Sequence, residues 1–371
     1  MRAHPAGSMT CAFVEDLSDE FEFTVFGAKV DQSLRKKVQF VRLPIPTGRP
    51  FLLSFLVQFV VYGILVKVKR MRRKYDLIHS VEAVAPFTEI MTMHFCGPAA
   101  LDLMQRGMLV HAGWRKYYYF VANFCGSIME RYATRNSILR ALVVVSEGLK
   151  KEVEKYDKPK VTIFSIPNYA DSAKFRDSKA VRSSMREQLS LNDDCLVGVI
   201  CAMGDWERKG LRHLIEAVSL INDIPLKILV VGPGAKEEYG SLCLTLKVDQ
   251  RFIFLGYSRD LKSYYGAADF FILPSVYEAW PLVVLEAAAA GLPIVGTPVN
   301  GIEEFVQEET TGFFIQRDPA NIALVLRRIS ESRNLLPVIG ENAKQRSRNY
   351  SRERMSSSYR GLYYSLIKNE I

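Results

Sequence analysis

From Leu196 to Gln316 short apolar runs alternate with amphipathic ones, and this alternation constrains the fold more than any other feature of the chain. Strands are predicted at 196–202, 227–232, 252–256, 269–274, 292–297 and 312–316, and helices at 211–221, 260–268 and 281–290. Strands and helices in turn at this spacing build a parallel sheet with helices on both faces. Such sheets take their ligands at the carboxyl ends of the strands.

The first half repeats the pattern with weaker signals, at 22–28, 38–44, 75–80, 88–94, 141–146 and 161–167. With 371 residues there is room for two such cores. The expectation is an α/β chain of two Rossmann-like domains facing across a cleft. The turn-rich stretch 166–178 joins them, which divides the chain into 1–168, 169–349 and a C-terminal helical segment, 350–371. That segment carries Tyr359, Leu362, Tyr363 and Leu366 on one face, expected to pack back toward the N-terminal domain.

The opening of the chain departs from this plan. Pro5-Ala6-Gly7-Ser8 reads as a glycine loop and Thr10–Leu17 as the helix after it, but no apolar strand precedes them. The expectation is a first strand missing from the N-terminal domain, with the chain beginning downstream of its natural start or having lost that strand.

Composition excludes several classes. The six cysteines form no C-x-x-C pair and sit mostly in apolar runs, which argues for reduced thiols rather than a disulfide framework or zinc site. The first residues lack the apolar core of a signal peptide, and the chain reads as cytoplasmic. The net charge of +9 falls entirely on residues 1–170, with 24 Lys and Arg against 15 Asp and Glu; the remainder holds 25 of each. A basic first half suits an anionic membrane surface or an acidic acceptor as well as simple solubility. Nucleic acid is not expected, since no basic stretch is interleaved with stacking aromatics. In 51–66 nearly every residue is apolar, and six of the next eight are Lys or Arg. Ser54, Gln58 and Gly63 interrupt it too much for a span. It reads first as a buried helix leading into the strand at 75–80, and second as a helix lying in the membrane interface.

The chemistry concentrates in 274–306. Glu278 and Glu286 bracket seven residues; Pro281 suits the first helical position and Gly291 a helix end. Glu278 thus falls in the loop before a helix and Glu286 on its second turn, beside helix-start amides that suit phosphates. A second cluster, Arg208 and Lys209, occupies the turn between the strand at 196–202 and the next helix. Two cations there can neutralise a leaving diphosphate.

These segments resemble the donor-site signature of family-4 retaining glycosyltransferases of GT-B fold, and the RKG turn is similar to that of lipopolysaccharide-core and surface-polysaccharide transferases. The resemblance implies a nucleotide-diphosphate sugar, UDP- or GDP-linked, as donor substrate, with no separate cofactor. It implies that Glu278 contacts donor-sugar hydroxyls, that Glu286 contacts the ribose, and that the backbone of Ala279, Trp280, Pro281 and Leu282 holds sugar and diphosphate. It places His94 at a strand end toward the donor sugar, Tyr257 near the base, and Gly7 near donor phosphate and acceptor. The family often has Gly where Ala279 stands, and many members place Arg where Asp205 stands, which hands that duty to Arg208. No D-x-D occurs, in keeping with metal-independent transfer. His94, Glu278, Lys209 and Arg208 are the expected catalytic set, acting on a glycan or lipid-linked acceptor with peripheral contact to an anionic membrane. On this reading Lys209→Ala and Glu286→Ala remove transfer and leave the fold in place. The rival readings are a sugar-nucleotide epimerase or phosphorylase of the same fold and a non-catalytic binding protein that kept it.

Overall fold

The structure is a computed structural model and describes residues 5–43, 51–71, 75–108 and 114–369. The chain divides into two compact units, Met1–Tyr169 with Arg352–Ile371, and Ala170–Ser351.

The second unit holds a six-stranded parallel sheet of β7 (Leu196–Cys201), β8 (Leu226–Val231), β9 (Phe252–Gly256), β10 (Phe270–Leu273), β11 (Ile294–Gly296) and β12 (Gly312–Phe314), in the order β12-β11-β10-β7-β8-β9. Both central strands, β7 and β10, are buried along their whole length, which is why their sequences are continuous apolar runs rather than alternating ones. Gly198 of β7 pairs with Phe270 of β10, and a Cβ there would lie 2.6 Å from the Phe270 ring. The glycine therefore lets the large ring sit at the sheet centre. At the amino edge, Asp269 Oδ2 accepts from Val197 N at 2.8 Å, and Arg182 Nη2 donates to Asp269 Oδ1 at 2.5 Å. These bonds lock β7 and β10 together and fix where their carboxyl ends emerge. The chain order reverses between β7 and β10, the switch point of a doubly wound sheet.

In the first unit, β3 (His79–Val81), β4 (Ile90–Met93), β5 (Ala141–Val144) and β6 (Thr162–Ser165) form a four-stranded parallel sheet in chain order. A separate parallel pair is formed by β1 (Thr24–Gly27) and β2 (Gln39–Arg42). The first-half strands thus make two sheets rather than one, because among the described residues no strand bridges β1 and β3. The residues ahead of β1 instead form the Pro5–Leu17 helix. This corrects the reading of Pro5–Ser8 as a loop: Gly7 lies inside the helix, whose first residue, Pro5, has the fixed φ that suits a first turn.

The C-terminal helix, Arg352–Ile367, buries the face anticipated for it, with Tyr359, Leu362, Tyr363 and Leu366 all under 6% exposed. It packs on the Pro5–Leu17 helix, where Phe13 stacks on Tyr359 at 4.1 Å and Arg352 grips Asp16 through Nε at 3.0 Å and Nη2 at 2.6 Å. The apolar stretch after 50 is a helix, Phe51–Met71. It is not the buried helix expected, since several of its apolar side chains face solvent. Among the described residues no helix is long and apolar enough to cross a membrane.

Candidate active site

Two loops leave the carboxyl ends of β7 and β10 at the switch point. The first, Ala202–Gly210, carries Arg208 and Lys209; the second, Pro274–Pro281, carries Glu278. They are bound to each other: Val276 N donates to Arg208 O at 2.9 Å, and Arg208 Nη1 donates to Tyr277 O at 2.6 Å. Gly210 makes this approach feasible. Its φ is +78°, and a Cβ would lie 2.1 Å from Pro274 O.

Three donors converge on one oxygen of Glu278. Lys209 Nζ lies 2.6 Å from Oε1, Ser275 Oγ 2.7 Å, and Arg208 Nη1 3.3 Å. Thr297 Oγ1 holds the loop from beyond β11 by donating to Ser275 O at 2.5 Å. Burial alone would raise the Glu278 carboxyl, but Lys209 and Arg208, with the Lys209 and Ser275 hydrogen bonds, bring it below its ordinary value. Burial lowers Lys209, an effect that Glu278 opposes and Arg208 reinforces. Arg208 is raised: burial works against its charge, but Glu278 and Asp205 outweigh it. The group is a charged triad, with Lys209 and Glu278 buried, Arg208 partly exposed, and one carboxylate shared by the two cations.

Asp205 stands at φ +55°, unusual for a residue with a Cβ, and its Oδ2 accepts from Arg208 Nε at 2.6 Å. The position where many family members place an arginine here holds the carboxylate that orients Arg208. Lys209 and Arg208 thus stand in the turn where the sequence puts them, while Ser275, Tyr277 O and Thr297 escape sequence reading. Hydroxyls and carbonyls of this kind carry no spacing signal.

After the loop comes the helix Leu282–Ala289, with Pro281 at the position just before it rather than inside it and Gly291 at φ +83° beyond its end. Among the described residues no side chain caps its first turn, so its amino end presents its partial positive charge beside the triad. Glu286 sits on the second turn, half-buried, with Tyr265 Oη 3.5 Å from its Oε2. Trp280 is buried, its ring tilted on Tyr350 at 4.8 Å and backed by Gly301, where a Cβ would lie 2.5 Å from the indole. Its side chain, like that of buried Pro281, belongs to the core, which leaves the backbone of 279–282 for any ligand. Tyr257 follows β9 at a carboxyl end and is 44% exposed.

The remaining expected residues lie in the first unit. His94 directly follows β4, with Nδ1 3.1 Å from Glu82 Oε1. His79, the first residue of β3, is half-buried, its ring stacked on Phe13 and edge-on to Tyr363. Its two ring nitrogens meet Tyr363 Oη at 2.7 Å and Thr92 Oγ1 at 2.8 Å. Burial, with His94 nearby, pushes its pKa down to about 3, which keeps the ring neutral. Gly7, within its helix, makes no phosphate-binding loop. Among the described residues, one group with metal-ligand chemistry, Cys96, Glu130 and Asp157, is also in this unit, with one ligand atom from each within 4.8 Å. Burial first, and then Asp157, raise Glu130 well above its ordinary value; burial raises Asp157 as well.

Two Rossmann-like units, one with a cationic pair and a carboxylate at its switch point, define the GT-B class. Solved structures agree in fold. A sucrose-phosphate synthase from Thermosynechococcus elongatus aligns at TM-score 0.76 and 20% identity, covering 96% of this chain and 92% of that one. WaaG, a glycosyltransferase involved in lipopolysaccharide biosynthesis, aligns at 0.75 and 17%, covering 97% and 96%.

Residues 195–332 match the family model described as Glycosyl transferases group 1, and the chain is a glycosyltransferase. It is 27% identical over 280 residues to an uncharacterized glycosyltransferase of Methanocaldococcus jannaschii, covering 73% of this chain and 70% of the relative. It is also 24% identical over 311 residues to the UDP-Gal:alpha-D-GlcNAc-diphosphoundecaprenol alpha-1,3-galactosyltransferase of Escherichia coli, covering 81% and 78%.

Proposed function

We propose that the chain transfers a sugar, with retention, from a nucleotide-diphosphate sugar to a glycan or lipid-linked acceptor, without a metal ion, at the inner face of a membrane. The observation that carries this reading is the convergence of Lys209, Arg208 and an uncapped helix start at the switch point of the second unit. Positive charge held in a buried site acts far more strongly on a developing anion than it would in water.

On this reading the bond between the sugar C1 and the diphosphate oxygen breaks, and the acceptor oxygen bonds to C1 on the same face. The acceptor proton passes to the departing diphosphate. Arg208, Lys209 and the amides of 279–282 hold that diphosphate and stabilise its charge. Glu278, kept ionised by its cations, accepts from sugar hydroxyls, and Glu286 from the ribose. His94 keeps the role toward the donor sugar that the family resemblance gives it, and Tyr257 its place by the base. The E. coli relative's name specifies UDP-galactose and a diphosphoundecaprenol acceptor, which supports a UDP-sugar and a lipid-linked acceptor here.

The test is transfer from UDP- and GDP-sugars in the presence of a chelator, with the wild type, Lys209→Ala and Glu286→Ala. Transfer that survives chelation and falls in both variants supports the proposal. Wild-type kcat/KM for the nucleotide sugar in either variant, or strict need for added metal, contradicts it. Incubating donor alone and finding an epimerised sugar would favour the epimerase reading instead.

A further inference from the structure

The Phe51–Met71 helix shows a row of exposed apolar side chains four residues apart: Leu56, Val60, Ile64 and Val68. Val60 and Ile64 are 58% and 60% exposed. The Trp114–Thr134 helix shows a second row, Val121, Phe124, Ile128 and Tyr132, with Phe124 at 51% and Ile128 at 55%. A helix with solvent on one side normally turns polar residues to it. Here two helices do the reverse.

The rows lie side by side. Phe59 and Tyr132 meet at 6.2 Å between ring centroids, and Val60, Gly63 and Ile64 share an open groove of about 390 Å³ with Ile128, Met129 and Tyr132. Gly63 permits the close seat: a Cβ there would lie 3.2 Å from Pro86 Cγ, beneath the helix. A contiguous exposed apolar surface on this scale marks a place where something else docks.

Charge identifies the partner. From Gln32 to Tyr75 the chain holds eleven Lys and Arg and no Asp or Glu. From Leu103 to Met129 there is again no acidic residue, and the first one after it, Glu130, is buried. Exposed Lys67 lines one end of the groove, and exposed Tyr117, 74% accessible, extends the second row. A second copy of this chain would bring like charges together. An anionic lipid surface would meet apolar and cationic groups at once, with tyrosine at the headgroup level.

We propose that the exposed faces of the Phe51–Met71 and Trp114–Thr134 helices together form the surface by which this protein lies on an anionic bilayer. The helices lie on the interface, since none among the described residues is long and apolar enough to span. The inference deepens the proposed membrane location by assigning it a face, and it rests on that location alone.

The experiment is flotation of the purified full chain with vesicles of phosphatidylglycerol and phosphatidylcholine, and with vesicles of phosphatidylcholine alone. The wild type is expected to float with the first and not the second, and to detach at high salt. Ile64→Ser/Phe124→Ser/Ile128→Ser is expected to lower partition at least about tenfold, because three apolar insertions are lost. Leu324→Ser, an equally exposed apolar site in the other unit, should partition like the wild type. UDP and GDP binding by the triple variant should be unchanged, which separates loss of docking from loss of fold.

Equal flotation of the triple variant and the wild type overturns the proposal. So does a wild type that ignores vesicles but forms dimers that the triple variant does not. Flotation needs neither donor nor acceptor, so either result leaves the transferase reading intact; a chain that floats but transfers no sugar fails that reading alone.

Discussion

Lys209 Nζ lies 2.6 Å from Glu278 Oε1, although 69 residues of chain separate the two and both are buried. The pair ties the loop after β7 to the loop after β10. One contact therefore sets both the electrostatics of the site and the geometry of the switch point. The sequence alone makes Lys209→Ala neutral to the fold; the pair makes it otherwise. Removing Lys209 leaves buried Glu278 with Arg208, 3.3 Å away, as its one cation and Ser275 Oγ as its hydroxyl donor, and should cost about 3 kcal/mol, the low end for a broken buried ion pair. Urea unfolding of Lys209→Ala measures this. The double variant Lys209→Met/Glu278→Leu should recover most of the loss while remaining inactive.

Catalysis should be more sensitive than stability. A donor aimed at a developing anion is worth about a hundredfold or more in rate, so Lys209→Ala should lower kcat/KM for transfer by at least that factor. Glu286→Ala should act differently, raising KM for the nucleotide sugar more than it lowers kcat, because a ribose contact is made equally in ground and transition states. Steady-state kinetics at saturating acceptor separates the two patterns.

The loop junction has its own test. Gly210→Ala puts a Cβ 2.1 Å from Pro274 O at a φ of +78°. Strain and clash together should destabilise the protein by about 2–4 kcal/mol and weaken UDP or GDP binding by shifting both loops. Gly107→Ala has a similar φ of +69° but open space around it. It isolates the backbone cost, about 1–2 kcal/mol, and should leave nucleotide binding intact.

His79 predicts a pH dependence. Its pKa is depressed from 6.5 to about 3 by burial. Below about pH 6.5 the unfolded chain binds a proton that the folded chain refuses, so the stabilisation present above that pH is lost as pH falls, at about 1.4 kcal/mol per unit. The loss runs down to the folded pKa. Comparing urea midpoints between about pH 7 and about pH 5, His79→Gln should show a shallower dependence than the wild type by most of this slope. Equal slopes would refute the assignment.

The second unit is legible because its strands are buried on both faces and leave unbroken apolar runs. All six predicted strands there overlap β7 to β12, with edges that differ by at most two residues. The cation pair and Glu278 are legible because glycine and proline mark the turns and helix start around them. What stays hidden depends on tertiary approach. Nothing in the spacing of Arg208 and Asp205 announces that a left-handed Asp205 holds the guanidinium, nor that Trp280 turns into the core against Tyr350. Gly7 misleads because a Pro-Ala-Gly-Ser run suits a loop and a helix start equally. The Phe51–Met71 helix misleads because apolar content signals burial only when another element covers it, and none of the described ones covers Val60 and Ile64.

The most direct test of the central claim is the position of the diphosphate in a crystal structure of the chain with UDP or GDP. The account predicts its oxygens within hydrogen-bonding distance of Arg208 or Lys209 and of the backbone amides at the start of the Leu282–Ala289 helix, with the ribose at Glu286. A nucleotide bound elsewhere in the second unit, or in the first, would contradict it.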